Sequence, residues 1–130
     1  MNIPYISAEE VRKNLSMEDA IQCTENVYKL KSQDKTVVWP TIFYEFDPGH
    51  ADMDIKSGYL PEQHIFGHKT VAFMEANVQK GLPDLVGLIA VFSSETGMPL
   101  GLVDGSSVTA LVRQEPLVQN IWPERIPRTL

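Results

Sequence analysis

LVGLIAVFSSETGMPLGLV, residues 85–103, is the stretch whose reading decides the fold. Two apolar runs, Leu85 to Ser93 and Pro99 to Val103, flank Glu95-Thr96-Gly97-Met98. Short runs of aliphatic and β-branched residues bounded by turn residues read as strands. Gly97 is available for the positive φ that a tight hairpin connection requires. The pair is therefore an antiparallel hairpin, and the rest of the chain must supply what covers it.

Further strand-like segments lie upstream. His64 to Ala76 is long and nearly two-sided in its apolarity, and Met53 to Leu60 precedes it. Thr36 to Phe46 is β-branched and aromatic, but Pro40 has no N–H for a ladder, which points to an edge position or a bulge. Asp47-Pro48-Gly49-His50 is a turn, and Asn77 to Asp84 is a loop. Two helices come before the strands. Ser7-Ala8-Glu9-Glu10 has the capping-box form and opens a short helix to about Leu15. Ser16 caps a second helix, in which Met17, Ala20, Ile21, Thr24, Val27 and Tyr28 recur on one face while Cys23 and Lys29 fall off it. Helices followed by a run of strands define an α+β fold: two N-terminal helices packed on a curved, mainly antiparallel or mixed sheet over residues 36–104.

At 130 residues the chain is one domain by length. It is 43% hydrophobic and 22% charged, with a net charge of −6. That balance leaves no basic footprint for nucleic acid or an anionic membrane. Cys23 is alone, so no intrachain disulfide can form, in keeping with a reducing compartment. Met1 to Ile6 has neither a basic start nor a long apolar run, and no segment approaches the roughly 20 apolar residues of a membrane span. A cytoplasmic protein is expected.

The common cofactor and metal signatures are missing: there is no GxGxxG, Walker loop, CxxC or HExxH. His64 and His68 could share a metal only across a bulge, since i and i+4 on a strand lie about 13 Å apart. No metal site is expected. The lysines are more informative. Lys56 in DIKSG and Lys69 in GHKTV each interrupt a largely apolar strand. Such a lysine either snorkels outward or points into a cleft as a fixed cation for a carboxylate. Glu75 reads as an exposed strand carboxylate and Asn77 as a loop-closing residue. At the end of the hairpin, Asp104-Gly105 reads as a turn, Ser106 and Ser107 as helix N-caps, and Val108 to Leu111 as a short helical start.

Gly67-His68-Lys69, Asn77, Lys80-Gly81-Leu82-Pro83, Glu95-Thr96-Gly97-Met98-Pro99-Leu100, Asp104-Gly105 and Thr109-Ala110-Leu111 occur in an order and spacing that resembles the ornithine cyclodeaminase/mu-crystallin family. The archaeal-type alanine dehydrogenases are its most similar members. Ile6-Ser7-Ala8-Glu9-Glu10-Val11 and Met17-Glu18-Asp19-Ala20-Ile21 fit the same pattern. The resemblance implies the N-terminal part of a two-part enzyme, in which a substrate and dimerisation domain faces an NAD(P)-binding Rossmann domain. The implied chemistry is hydride transfer between an amino-acid Cα and nicotinamide through an imine, which in the cyclodeaminases a side-chain amine then closes with loss of ammonia. The resemblance makes Lys69 the catalytic and substrate-binding lysine that orients the substrate carboxylate. Lys56, Asn77 and Thr41 follow as further substrate contacts. The basic residue usual near Trp39-Pro40-Thr41 is missing, which speaks against ornithine as substrate.

The family pattern continues from T-A-L into R-T-G-A-A-G and an alanine-rich helix. Here it gives way to Val112-Arg113-Gln114-Glu115-Pro116, with further prolines at Pro123 and Pro127. Triplets taken from the third base of each codon, starting within Gln114, can spell G-A-A-G-A-K-Y-L-A-R, the missing helix. Residues 1–111 then form the substrate-binding and dimerisation part, and residues 112–130 an irregular, out-of-frame tail without a Rossmann domain. The alternative is a genuine Pro-rich tail with a peptide-docking motif around Trp122. Two functions follow. One is an N-terminal part of an NAD(P)-dependent amino-acid dehydrogenase or cyclodeaminase that binds a small amino or keto acid as a homodimer, holds no NAD(P) by itself and is inactive alone. The other is a non-enzymatic, dimeric small-molecule-binding module of mu-crystallin type.

Overall fold

The computed structural model describes residues 1–113; the Pro-containing tail, and with it the out-of-frame reading, lies outside the described residues. Chain order is β1 (Tyr5–Ile6), α1 (Ala8–Asn14), α2 (Met17–Ser32), β2 (Val37–Val38), β3 (Ile42–Asp47), β4 (Ala51–Leu60), β5 (Ile65–Met74), a 3-10 helix (Glu75–Lys80), β6 (Leu85–Ser93), β7 (Pro99–Asp104) and α3 (Gly105–Arg113). The sheet has seven strands in the order β1-β7-β6-β5-β4-β2, with β3 also paired to β4. Every pairing is antiparallel except β1 with β7, so the sheet is mixed.

Local sequence explains most of these bounds. Both α1 and α2 begin in reciprocal capping boxes, Ser7 with Glu10 and Ser16 with Asp19, each satisfying two otherwise orphaned N–H groups. In the second box the backbone N–H and then the hydroxyl of Ser16 hold the Asp19 carboxyl below its usual pKa. Pro40 splits one edge strand in two: β2 and β3 lie along the same side of β4, and the ladder resumes only at Ile42. The β6–β7 hairpin closes where expected, with Gly97 at φ +73° and its N–H donating to the Ser93 carbonyl. On α2 the apolar stripe is covered from Met17 to Thr24 and at Tyr28, but Val27 remains exposed.

Three features differ from the sequence reading. The sheet reaches outside residues 36–104, because Tyr5 and Ile6 pair in parallel with Leu102 and Val103. A two-residue strand carries no period by which it could be read. The segment after Met74 begins with a 3-10 helix that already includes Glu75, and its left-handed Gly81 ends it. Finally, α3 starts at Gly105 and is capped by Asp104, not by Ser106 or Ser107: the Asp104 carboxylate accepts from the backbone N–H and the hydroxyl of Ser107. The Ser106 hydroxyl accepts instead from Gly87 N–H at 2.9 Å, satisfying β6 just where β7 leaves its ladder.

Residues directly opposite in an antiparallel ladder share a face, so the register sorts the whole sheet. One face carries Lys56, Lys69, Ile89 and Val103 in one row and Gly58, Gly67, Val91 and Gly101 in the next. The helices lie on this side, where Val71 is buried and the Lys69 ammonium reaches Thr109 of α3. The opposite face carries Ile55, Tyr59, Phe66, Leu88, Phe92 and Leu102, with Phe66 and Phe92 stacked at 5.1 Å.

The turn from β7 into α3 depends on two glycines that touch. A Cβ on Gly105 would lie 2.8 Å from the Gly87 carbonyl carbon and 3.0 Å from Leu88 N. Gly105→Ala is accordingly expected to lower the unfolding free energy by about 1–3 kcal/mol, the usual penalty for overpacking. Gly101→Ala is the matched control, because its nearest neighbour would be Pro4 O at 3.5 Å. It should leave stability unchanged or raise it by about 0.5–1 kcal/mol through reduced chain entropy. Urea denaturation with unchanged m-values checks both, and equal midpoints for the two variants would remove the glycine contact from the account.

Candidate functional site

Lys56 on β4 and Lys69 on β5 are directly paired in register, which puts two ammonium-bearing side chains next to each other on the helix-covered face. Their Cβ atoms are separated by about 4.5–5.5 Å, the spacing of any directly opposed pair. The Lys69 ammonium donates to Thr109 Oγ1 at 3.2 Å, and Thr109 is only 8% exposed. A buried hydroxyl on α3 thus steers the head of a lysine on β5.

Both lysines line a cavity of about 390 Å³ between the sheet and α2. That volume lies within the usual range for small-molecule sites, about 300–1,000 Å³. Val27 and Lys31 of α2 and Thr36 to Val38 wall it from above and one side, and Gly58, Leu60, Ile65, Gly67, Ile89 and Val91 contribute from the sheet. Among the described residues the lining holds three lysines and no Asp or Glu, in a chain whose net charge is −6. The acids nearest the Leu60–Ile65 end lie in turns, where Glu62 pairs with Lys35 at 3.0 Å and Glu95 approaches His64 at 3.7 Å. Glu45 and Asp52 oppose each other across β3 and β4, and burial, then Glu45, then Asp54 push the Asp52 carboxyl above its usual pKa.

The structure brings Lys56 and Lys69 together and leaves the other two candidates apart. Thr41 is exposed between β2 and β3 and does not line the cavity. Asn77 is in the 3-10 helix, where its amide donates to the Pro83 carbonyl at 2.9 Å and closes the 77–83 turn. Thr109, Lys31 and Thr36 carried no role in the sequence reading, and the structure places all three at the cavity or its lysine. Register arithmetic could have paired the lysines: a hairpin that joins Leu60 to Ile65 necessarily pairs Lys56 with Lys69.

A second, polar cleft at the far end of β4 and β5 is lined by Asp47, His50, Glu75, Asn77 and Lys80. His50 Nδ1 bonds the Glu75 carboxylate there, and Glu75 N–H donates to the His50 carbonyl at 3.0 Å. Among the described residues no group of three or more His, Cys, Asp or Glu is arranged to hold a metal ion.

A mixed seven-stranded sheet, helices over one face and a mainly apolar cavity bordered by lysines between them together define a class: an α+β domain with a cleft of small-molecule size. The chain belongs to the ornithine cyclodeaminase/mu-crystallin family, whose family model matches residues 4–113. Over 114 residues it is 29% identical to the alanine dehydrogenase of Archaeoglobus fulgidus, covering 85% of this chain and 33% of that protein. It is 32% identical over 108 residues to the Δ1-pyrroline-2-carboxylate reductase of Colwellia psychrerythraea, covering 80% of this chain and 33% of the relative. Among solved structures it resembles an archaeal alanine dehydrogenase dimer with bound NAD, with a TM-score of 0.78 and 29% identity over 86% of this chain and 34% of that one. The chain spans about a third of the length of these relatives.

The described residues do not fit a dinucleotide. A pyrophosphate is typically held by bare N–H groups at a helix N-terminus after a glycine-rich turn. Here no glycine-rich turn precedes α1 or α2, each of which opens in a capping box with Glu10 or Asp19 accepting from the N–H of its N-cap serine, and at α3 Asp104 accepts from the Ser107 N–H.

The His50–Glu75 contact generates a pH prediction. The Glu75 hydrogen bond, then its charge, then Asp47 raise the His50 pKa above the usual 6.5. A raised histidine pKa stabilises the fold below the unfolded value, and that contribution is lost as pH rises through the folded value. His50 titration by NMR is expected above 6.5 and to fall back toward it in Glu75→Gln, in which the slight loss of stability above that pH also disappears.

Proposed function

We propose that this chain is the substrate-binding and dimerisation part of an NAD(P)-dependent amino-acid dehydrogenase or ornithine cyclodeaminase-like enzyme. The observation that carries the reading is the Lys56–Lys69 pair bordering a cavity of small-molecule size, with Lys69 steered by Thr109. Lys69 holds the carboxylate of a small amino or keto acid, and Lys56 adds a second cation beside it. The relatives' printed activities supply the reaction class: an alanine dehydrogenase with bound NAD and a Δ1-pyrroline-2-carboxylate reductase. Hydride transfer needs the nicotinamide within about 3–3.5 Å of Cα. The carboxyl-capped helices offer it no seat, so this chain alone binds the acid and does not oxidise it. In this reading Thr41 and Asn77 contribute at most from outside the cavity.

The second element is dimerisation through the sheet face that the helices leave bare. Ile42, Tyr44, Phe46, Val86, Leu88 and Leu100 are 40–60% exposed on or beside that face. An apolar face of this extent on a soluble chain marks an interaction surface. The archaeal alanine dehydrogenase neighbour is itself a dimer. No helix among the described residues is long and apolar enough to cross a membrane, and Cys23 is a free, exposed thiol, which suits a reducing cytoplasm. The mu-crystallin-type alternative, a dimeric binding module without catalysis, shares this face and cavity.

Calorimetric titration with 2-oxo acids tests the site. Lys69→Met should weaken binding by about 10- to 100-fold, since a hydrogen bond to a charged group contributes ~1.5–3 kcal/mol. The variant should unfold as the parent does. Unchanged affinity would remove Lys69 from the site. For the interface, sedimentation velocity should show a dimer that Leu88→Glu converts to monomer. Turnover of an amino acid with NAD(P) by the purified chain would overturn the reading that it is inactive alone.

A further inference from the structure

We infer that the cavity selects a 2-oxo or 2-amino acid with a branched, apolar side chain of about leucine size, in preference to alanine-sized or dicarboxylic substrates. The inference rests on the carboxylate role proposed for Lys69 and extends it to the rest of the ligand. Along β4 and β5 the cavity face changes character every second residue. The row Lys56–Lys69 is cationic, the row Gly58–Gly67 has no side chains, and the row Leu60–Ile65 is aliphatic. Successive rows are about 6.7 Å apart along the strands. A carboxylate held at the lysines therefore sends its substituent across bare backbone toward Leu60 and Ile65, with Val27 and Val38 beside it.

Two quantities decide between side chains. The cavity is a partly open cleft of about 390 Å³ with a mainly apolar lining, and a methyl side chain covers little of its aliphatic wall. One added methylene in an apolar pocket changes discrimination by on the order of tenfold. A second carboxylate on the ligand meets the bare and aliphatic rows of Gly58, Leu60 and Ile65, and among the described residues the one further lining lysine, Lys31, stands on α2 one turn from Val27. Burying that charge against the apolar rows is costly, and Lys31 alone could offset it.

The test compares three acids by calorimetry on the 130-residue chain: pyruvate, 4-methyl-2-oxopentanoate and oxaloacetate. The last two have the same shape, with two methyl groups in one where the other has two carboxylate oxygens. The expected result is that 4-methyl-2-oxopentanoate binds at least about tenfold more tightly than either of the others. Val27→Glu, at a helix position already 44% exposed and therefore tolerant, should shrink that preference several-fold. Tightest binding of oxaloacetate, equal binding of all three acids, or binding of none would overturn the inference. Lys69→Met separates the two claims. A parallel loss for all three acids upholds the carboxylate role whatever their order, whereas a preserved preference without any loss keeps the side-chain selection and removes the role of Lys69.

Discussion

The contact between Gly87 and Gly105 governs how the rest of the molecule is arranged. β7 lies antiparallel to β6 as far as Asp104, and the chain then has to leave the sheet without leaving Gly87 N–H unsatisfied. Two residues without side chains let the backbones approach closely, and Ser106 replaces the lost ladder partner with its hydroxyl. Asp104 closes the new helix from the strand side. With its first turn fixed this way, α3 crosses the lysine-bearing face, and Thr109 arrives one turn later at the Lys69 ammonium. A shift of α3 by one residue would turn Thr109 away by about 100° and leave that ammonium with a different neighbour.

The sheet is asymmetric in a way that composition alone conceals. A net charge of −6 suggests an acidic surface everywhere, yet the helix-covered cavity contains no acid among its described lining residues. The carboxylates are used elsewhere: Glu10, Asp19 and Asp104 at helix starts, Glu75 on His50, and Glu45 with Asp52 at the β3–β4 end. Negative charge near a helix N-terminus also complements the macrodipole, so the same residues that stabilise the helices keep their charge away from the lysines. The opposite face is apolar and bare among the described residues, so the two faces differ in charge as well as in cover.

Local signals in the sequence were read well because they are self-contained. The two capping boxes, the Gly97 hairpin and the split caused by Pro40 each depend on a few adjacent residues. Both lysines were placed on strands, but their pairing is a long-range property fixed by the turn between Leu60 and Ile65. Thr41 and Asn77 were named through family likeness, and the structure leaves them outside the cavity because Pro40 releases the chain at the sheet edge and the 77–83 turn uses the Asn77 amide internally. Tyr5–Ile6 and the cap at Asp104 were missed for opposite reasons. The first is too short to show a period, and the second competes with two serines that look equally suitable by residue type alone.

Strand β4 shows how a ligand can be oriented by alternation alone. Its residues on the cavity face run Asp52, Asp54, Lys56, Gly58 and Leu60: two acids, a base, a bare position and an aliphatic. The side chains between them face the other way, onto the face the helices leave bare, since successive residues of a strand alternate sides. A carboxylate approaching this row is repelled at one end and attracted at Lys56, and its uncharged remainder can lie only toward Gly58 and Leu60. Reversing the ligand would bring its apolar end against Asp54 and its charge against Leu60, so both ends would lose at once. For the proposed small acid, charge order along a single strand would set the direction in which it lies, and Lys69, opposite Lys56 and bonded to Thr109, would fix where along that strand it stops.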